Sequence, residues 1–248
     1  MNIIGIIPSR YASTRLPAKP LVDICGKSMI RRVYEQVKQS RLLTKIVVAT
    51  DDSRIENEVL SFGGNAQMTP IDIQSGSDRI AFVAKNMRSD IVVNIQGDEP
   101  LIDPKMIDQT IQLLLNDKEA VVGTAVKKTT LHQDVFNASV VKVVLDKNNY
   151  ALYFSRSPIP YIRDAKKDKE WFDDTIFYKH FGIYVYRADF LQQYTALPQS
   201  VLESAEKLEQ LRILENGYKI KCAITDYESF PVDTPEDLQR VIDCVSKK

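Results

Sequence analysis

Net charge is the first thing this 248-residue chain lacks: 33 Lys and Arg stand against 33 Asp and Glu. That balance argues against a nucleic-acid binder that works through bulk positive charge. Cysteine is scarce as well. Cys25, Cys222 and Cys244 are odd in number and widely spaced, so they suggest neither a disulfide framework nor a zinc pattern. We expect reduced thiols in a cytoplasmic protein. No apolar run reaches the length of a membrane span. The N-terminal run is too short for a secretory signal, has no basic segment before it, and ends at Pro8. The phosphate-loop pattern G-x-x-x-x-G-K-S/T is absent, and so is G-x-G-x-x-G, which weakens P-loop ATPase and Rossmann dehydrogenase readings. With only two histidines, no Ser-His-Asp or Cys-His motif is recognisable. There is no internal repeat, low-complexity tract or clear linker.

What is present is ordinary folded-protein material, 44% hydrophobic and 27% charged, which excludes a disordered or collagen-like chain. Residues 3–7 (Ile-Ile-Gly-Ile-Ile) form an apolar run of the kind found in parallel sheets. Met29, Ile30, Val33 and Val37 then recur at helical spacing. Residues 46–49 read as a second strand. Ile55, Val59, Leu60 and Phe62 read as a short helix closed by Gly63-Gly64. Residues 91–95 form a further buried strand. Asp103 caps a helix with Pro104 at its first position. Later, residues 140–145, 151–154, 181–186 and 219–224 read as strands. Residues 163–174 are almost all charged and read as an exposed loop. Residues 202–216 read as one helix ending at Gly217, and Thr234 caps a last helix with Pro235 and Asp237 in its first turn. The pattern is a single doubly wound α/β domain over 1–248, with an insertion near 150–200.

In such sheets ligands bind beyond the carboxyl ends of the strands. Three of these ends carry chemistry. After the first strand, Pro8 to Pro20 presents Arg10, Arg15 and Lys19 with no acid. Prolines stiffen this loop, and it offers a triphosphate both charge and backbone N–H groups. The whole segment 1–45 holds nine bases and two acids, a net of +7, and the remainder carries −7. A second strand end, Gln96-Gly97-Asp98-Glu99-Pro100, places Asp98 where it suits Mg²⁺ near phosphates. A lone carboxylate there serves capping and turn roles about as readily. Glu99 reads as a structural acid bonding backbone in the turn. The third end, Val232-Asp233-Thr234, frees Asp233 to point into the cleft. On pattern alone, His132 reads as a surface residue and His180 as a satisfied structural histidine.

Eight motifs in order now carry a resemblance. They are I-I-P-S-R-Y-A-S-T-R-L-P-A-K-P-L, V-A-T-D-D, Q-S-G-S-D-R, N-I-Q-G-D-E-P, A-L-Y-F-S-R-S-P-I-P, H-F-G-I-Y, L-E-Q-L-R and V-D-T-P-E-D-L. Together they span residues 3 to about 241 and resemble the 3-deoxy-manno-octulosonate cytidylyltransferases, or CMP-Kdo synthetases. CMP-sialic acid synthetases share a similar first loop, but the downstream motifs favour the Kdo branch.

The resemblance implies Mg²⁺-dependent transfer of CMP from CTP to Kdo for lipopolysaccharide synthesis. It implies a homodimer, and the balanced charge and short apolar runs lead us to expect no nucleic-acid or membrane partner. It also implies a nucleotide-diphospho-sugar transferase fold with a mostly parallel mixed seven-stranded sheet. A region of about 150–215 would serve sugar binding and, as an arm, dimerisation. Arg10, Arg15 and Lys19 would face the CTP phosphates. Pro8, Gln74, Ser75 and Gly76 would hold cytosine and ribose, supported by Arg79. Lys19, Asp98 and Asp233 form the catalytic set, with Asp98 and Asp233 as Mg²⁺ ligands. Gln96, Arg163, His180, Tyr184, Glu209 and Gln210 would form the sugar pocket. Glu209 and Gln210 are adjacent, so both can serve one ligand only at a helix end or irregularity. Ala18 stands where the family usually has glycine, so ordinary backbone angles are expected there. Ser77 stands where the family has threonine.

Overall fold

The computed structural model describes residues 1–12, 16–73, 75–165, 168–172 and 175–247. The chain runs through β1 (Ile3–Ser9), α1 (Met29–Val37), β2 (Lys45–Thr50), α2 (Ser53–Ser61), β3 (Ala66–Met68), α3 (Gly76–Lys85), β4 (Ile91–Asn94), α4 (Pro104–Asn116) and β5 (Val122–Thr129). It continues through α5 (His132–Phe136), β6 (Lys142–Leu145), β7 (Ala151–Ser155), β8 (Phe177–Arg187), α6 (Ala188–Thr195), α7 (Val201–Glu206), α8 (Gln210–Glu215), β9 (Ile220–Ile224) and α9 (Pro235–Ser246). Among the described residues, seven strands lie in the order β3-β2-β1-β4-β8-β5-β9, and the β6–β7 hairpin joins at β8. Along that path β8 alone is antiparallel to its neighbours, β4 and β5. The result is the expected mixed, mostly parallel sheet, with nine strands among the described residues where the resemblance implied seven. No helix is long and apolar enough to cross a membrane among the described residues.

The apolar runs are explained by burial on both faces. Ile4 and Ile6 of β1 pack in one cluster with Ile80, Val83 and Phe190, on the side of α3 and α6. Ile3 and Ile7 pack in the other with Ile30, Val33, Ile107 and Ile111, on the side of α1 and α4. Each such side chain gains roughly 1.5–3 kcal/mol on burial, so alternate residues of one strand hold both helical layers.

Four local features depart from the sequence reading. First, α3, where no element was expected, begins inside Q-S-G-S-D-R, a stretch with no apolar periodicity. Ser75 makes the helix start by accepting the Asp78 N–H at 3.0 Å. Second, residues 202–216 are two helices, not one. Lys207 sits at φ 54°, and Arg212 reaches back to both carboxylate oxygens of Glu203 at 2.6 and 2.8 Å, folding α8 against α7. Third, Ala18 does not use ordinary angles. It lies at φ 54°, ψ 30°, because its carbonyl accepts the Leu21 N–H at 2.8 Å to open a tight 3-10 turn at Lys19–Leu21. Fourth, the stretch read as an insertion supplies β8, which lies in the middle of the main sheet.

The order of strands places the site. From β1 the chain steps outward to β2 and β3, then returns to β4 on the other side of β1. A crevice opens at the carboxyl ends of strands where the winding reverses. There the turn after β4 packs directly on the end of β1. A Cβ on Gly97 would stand 2.9 Å from the Pro8 carbonyl oxygen, so only glycine fits.

Candidate active site

Lys19 is the centre of the crevice. Its ammonium donates to Asp98 at 2.6 Å and to Asp233 at 3.0 Å. The three come from three different strand ends: the β1 loop, the β4 turn and the segment leading to α9. Burial works against the lysine charge, but the two carboxylates outweigh it and hold the Lys19 pKa above its ordinary value. Pro8, Arg10, Gln96 and Gly97 line the same recess, about 320 Å³ in volume. Among the described residues no group of three or more His, Cys, Asp and Glu gathers as a metal cluster. The pair of carboxylates already bridged by one cation is nevertheless a hard-oxygen donor set. Mg²⁺ uses such a set, completing its shell with water and substrate phosphate.

Two guanidinium groups converge on the neighbouring segment. Arg10 and Arg79 both donate to the Ile73 carbonyl. Arg79 is wholly buried and pairs with Asp51 at 2.7 Å and with Thr69. Burial first, and then the repulsion of Arg10, pull its pKa down against the attraction of Asp51. It therefore supports the Ile73 segment from beneath and does not face the cleft. Ser75 is engaged as the α3 cap, and Gly76 lies against the Pro8 ring. Across the loop, Arg54 pairs with Asp52 and stacks 3.3 Å from the Tyr11 ring centre. Arg15 and Gln74 lie outside the described residues.

The second group lies along β8. Opposite Thr124 the register of β8 slips at Gly182 and Ile183, a bulge of the kind that re-aims side chains. The Thr124 hydroxyl donates to the Ile183 carbonyl at 2.7 Å and meets His180 Nε2 at 2.9 Å. With its proton committed, Thr124 accepts, so the proton of His180 sits on Nε2. Gln96 donates to the Gly182 carbonyl at 3.0 Å. Burial holds the His180 pKa down at about 3 and pushes that of Tyr184 well up. The two rings lie 5.4 Å apart. Glu209 accepts from Ser77 at 2.5 Å. Burial raises its pKa, with the Ser77 hydrogen bond acting the other way.

Beside the Ser75, Gly76 and Arg79 segment, the other described site residues fall into two clusters and two single positions. Pro8, Arg10, Lys19, Gln96, Asp98 and Asp233 share the recess. His180, Tyr184 and Glu209 share the aromatic side. Glu209 does sit at a helix end, as the N-cap of α8. Gln210 is the first residue of α8 and is buried, while Arg163 is exposed on its loop. Asp51 and Thr124 were missed. Asp51 carried a signal, since it ends a strand as Asp98 does. A lone threonine inside a strand carries none. Glu99 is structural as expected, but its partner is the Ser229 side chain at 2.7 Å, and not turn backbone. Burial pushes its pKa up to about 7.

The family model for cytidylyltransferase matches residues 4–220. The chain belongs to the cytidylyltransferase family. Within the family it is 50% identical to a 3-deoxy-manno-octulosonate cytidylyltransferase of Geotalea uraniireducens, over all of both chains. It is 54% identical to one from Parabacteroides distasonis, covering 98% of this chain and 97% of the relative. A solved structure of a CMP:2-keto-3-deoxy-manno-octonic acid synthetase complexed with CTP superposes at a TM-score of 0.92 with 42% identity. That match covers 100% of this chain and 99% of the solved one. This member of the family therefore has the nucleotidyltransferase-type fold expected of it.

Proposed function

We propose that this chain transfers CMP from CTP to 3-deoxy-D-manno-octulosonate, giving CMP-Kdo and pyrophosphate for lipopolysaccharide synthesis. The observation that carries the reading is the Lys19 bridge between Asp98 and Asp233 in a recess of about 320 Å³ at the winding switch point. The relatives named above supply the substrate class.

The sugar's anomeric hydroxyl attacks the α-phosphorus in line, and pyrophosphate leaves. Such transfers need positioning and charge stabilisation more than covalent help from the protein. Asp98 and Asp233 would hold Mg²⁺, which when bound lowers the pKa of the attacking hydroxyl and offsets charge on the phosphate. Lys19, then released from both carboxylates, turns to the triphosphate. Arg10 exchanges the Ile73 carbonyl for a phosphate oxygen, and Arg15 joins it. Pro8, Gln74, Ser75 and Gly76 hold the base and ribose, with Arg79 beneath. His180 is neutral, so it hydrogen-bonds the sugar without neutralising its carboxylate. That charge falls to Arg163 or the metal. Gln96, Tyr184, Glu209 and Gln210 complete the pocket. Residues 1–248 act as one domain in a cytoplasmic homodimer, with the region of about 150–215 serving sugar binding and dimer contact.

Pyrophosphate release tests this reading. All four nucleotides are offered with Kdo, its 8-amino analogue and a sialic acid. Mg²⁺-dependent release with CTP and Kdo is expected. Binding of CTP without turnover on any sugar acid contradicts it, and preference for another sugar acid reassigns the substrate.

A further inference from the structure

Asp98 and Asp233 converge on one ammonium from two loops, and one of those loops has little backbone order of its own. Residues 225–233 form neither helix nor strand. They are held to the Asp98 turn by two hydrogen bonds. The Val232 N–H donates to the Asp98 carbonyl at 2.9 Å. Three residues away, the Ser229 hydroxyl donates to Glu99 at 2.7 Å, joining positions 130 residues apart. Ser229 and Glu99 are 6% and 5% exposed, so water does not compete for this bond. Val232 anchors the same strap by its side chain among Leu16, Ile24, Met29 and Val241. Each loop thus alternates roles. Asp98 and Asp233 face the cation, and their chain neighbours Glu99 and Val232 tie the loops together. An apolar contact could hold these loops together, but it would not fix their offset. A hydrogen bond has a set length and direction.

We infer that Glu99 and Ser229 are positioning residues whose buried hydrogen bond sets the spacing of the Asp98 and Asp233 carboxylates for a shared cation. The inference rests on the proposed reading of the site as a cytidylyltransferase centre. Partners of this kind, one step behind the ligands, orient them and tune affinity for the ion.

The test is a Mn²⁺ titration followed by electron paramagnetic resonance, with CTP binding measured calorimetrically in EDTA and kcat measured alongside. Ser229→Ala should weaken Mn²⁺ binding about tenfold and lower kcat by a similar factor, with metal-free CTP affinity held within about twofold. Ser229→Cys keeps the volume with a weaker donor and should give an intermediate loss. Glu99→Gln keeps an acceptor oxygen and should recover binding to within about threefold of the parent. The inference is overturned if Mn²⁺ binding in Ser229→Ala stays within about twofold of the parent. It is equally overturned if metal-free CTP affinity falls in step with Mn²⁺ affinity, the mark of a general structural loss. Should Ser229→Ala not fold, the same thresholds applied to Ser229→Cys decide. If the parent itself fails to turn over CTP and Kdo, the proposed reaction is wrong, while the Mn²⁺ comparison still rules on the tie.

Discussion

The two ends of the cleft solve different problems. At the end proposed for the nucleotide, Lys19, Asp98 and Asp233 are charged, between 18% and 38% exposed, and joined through Lys19. At the end proposed for the sugar, His180, Tyr184 and Glu209 are packed among aromatic rings, with burial pushing each toward its neutral form. On the proposed reading the first end would meet a tetra-anion, so stored, balanced charge suits it until the substrate arrives. On the same reading the second end would meet hydroxyls, which suits a buried surface with fixed hydrogen bonds. The lesson is that one catalytic cleft can hold its charge in reserve as internal ion pairs, without an open positive field.

The sharpest way to break this contrast is at Asp98. Asp98→Asn removes one half of the carboxylate pair and should cut kcat about a thousandfold, with circular dichroism unchanged. Near-parental turnover would take the metal role from Asp98. Next comes Lys19→Met, which should lower kcat/KM for CTP about a hundredfold. Because the bridge is partly exposed, its loss should cost no more than about 1 kcal/mol of stability. The raised Lys19 pKa sets the sign with pH. The bridge stabilises fully below the ordinary value of 10.5 and is lost as pH climbs through the higher folded value. Thermal melts of parent and variant should therefore converge in strong alkali.

A smaller effect separates the two ends by acid. The folded protein refuses a proton at His180 down to about pH 3, whereas the unfolded chain accepts one near 6.5. Stability therefore falls as pH drops between those values. His180→Gln should flatten part of that slope, measured by thermal melts from pH 7 to 4. An unchanged slope would mean that His180 is not held neutral. Smallest of all is Ala18→Gly. Relief of the left-handed alanine should leave the protein as stable as before or up to about 1 kcal/mol more so.

Much of this was legible in the chain, for identifiable reasons. β1 and β4 announce themselves because strands buried on both faces must be apolar throughout. Their ends then mark Arg10, Lys19 and Asp98 as candidates, although a lone carboxylate at Asp98 read equally well as a turn or cap residue. The pairing of Lys19 with Asp98 and Asp233 was not legible, since it joins residues 79 and 214 positions apart. The placement of β8 between β4 and β5 was hidden for the same reason, because no local pattern encodes a sheet partner. α3 escaped because its first turn is Gly76-Ser77-Asp78, which reads as loop until the Ser75 cap is seen. Thr124 and Ser229 escaped because single hydroxyls have no periodicity to betray them. The sugar side came from the resemblance, and its neutrality only from the packing.

One measurement reaches the central claim most directly: initial rates of pyrophosphate release with CTP and Kdo varied independently, for the parent, Lys19→Met and His180→Gln. A division of labour predicts that Lys19→Met raises the KM for CTP and leaves that for Kdo within about twofold, and that His180→Gln does the reverse. If each variant shifts both constants alike, the two ends are one site and the contrast drawn between them is wrong.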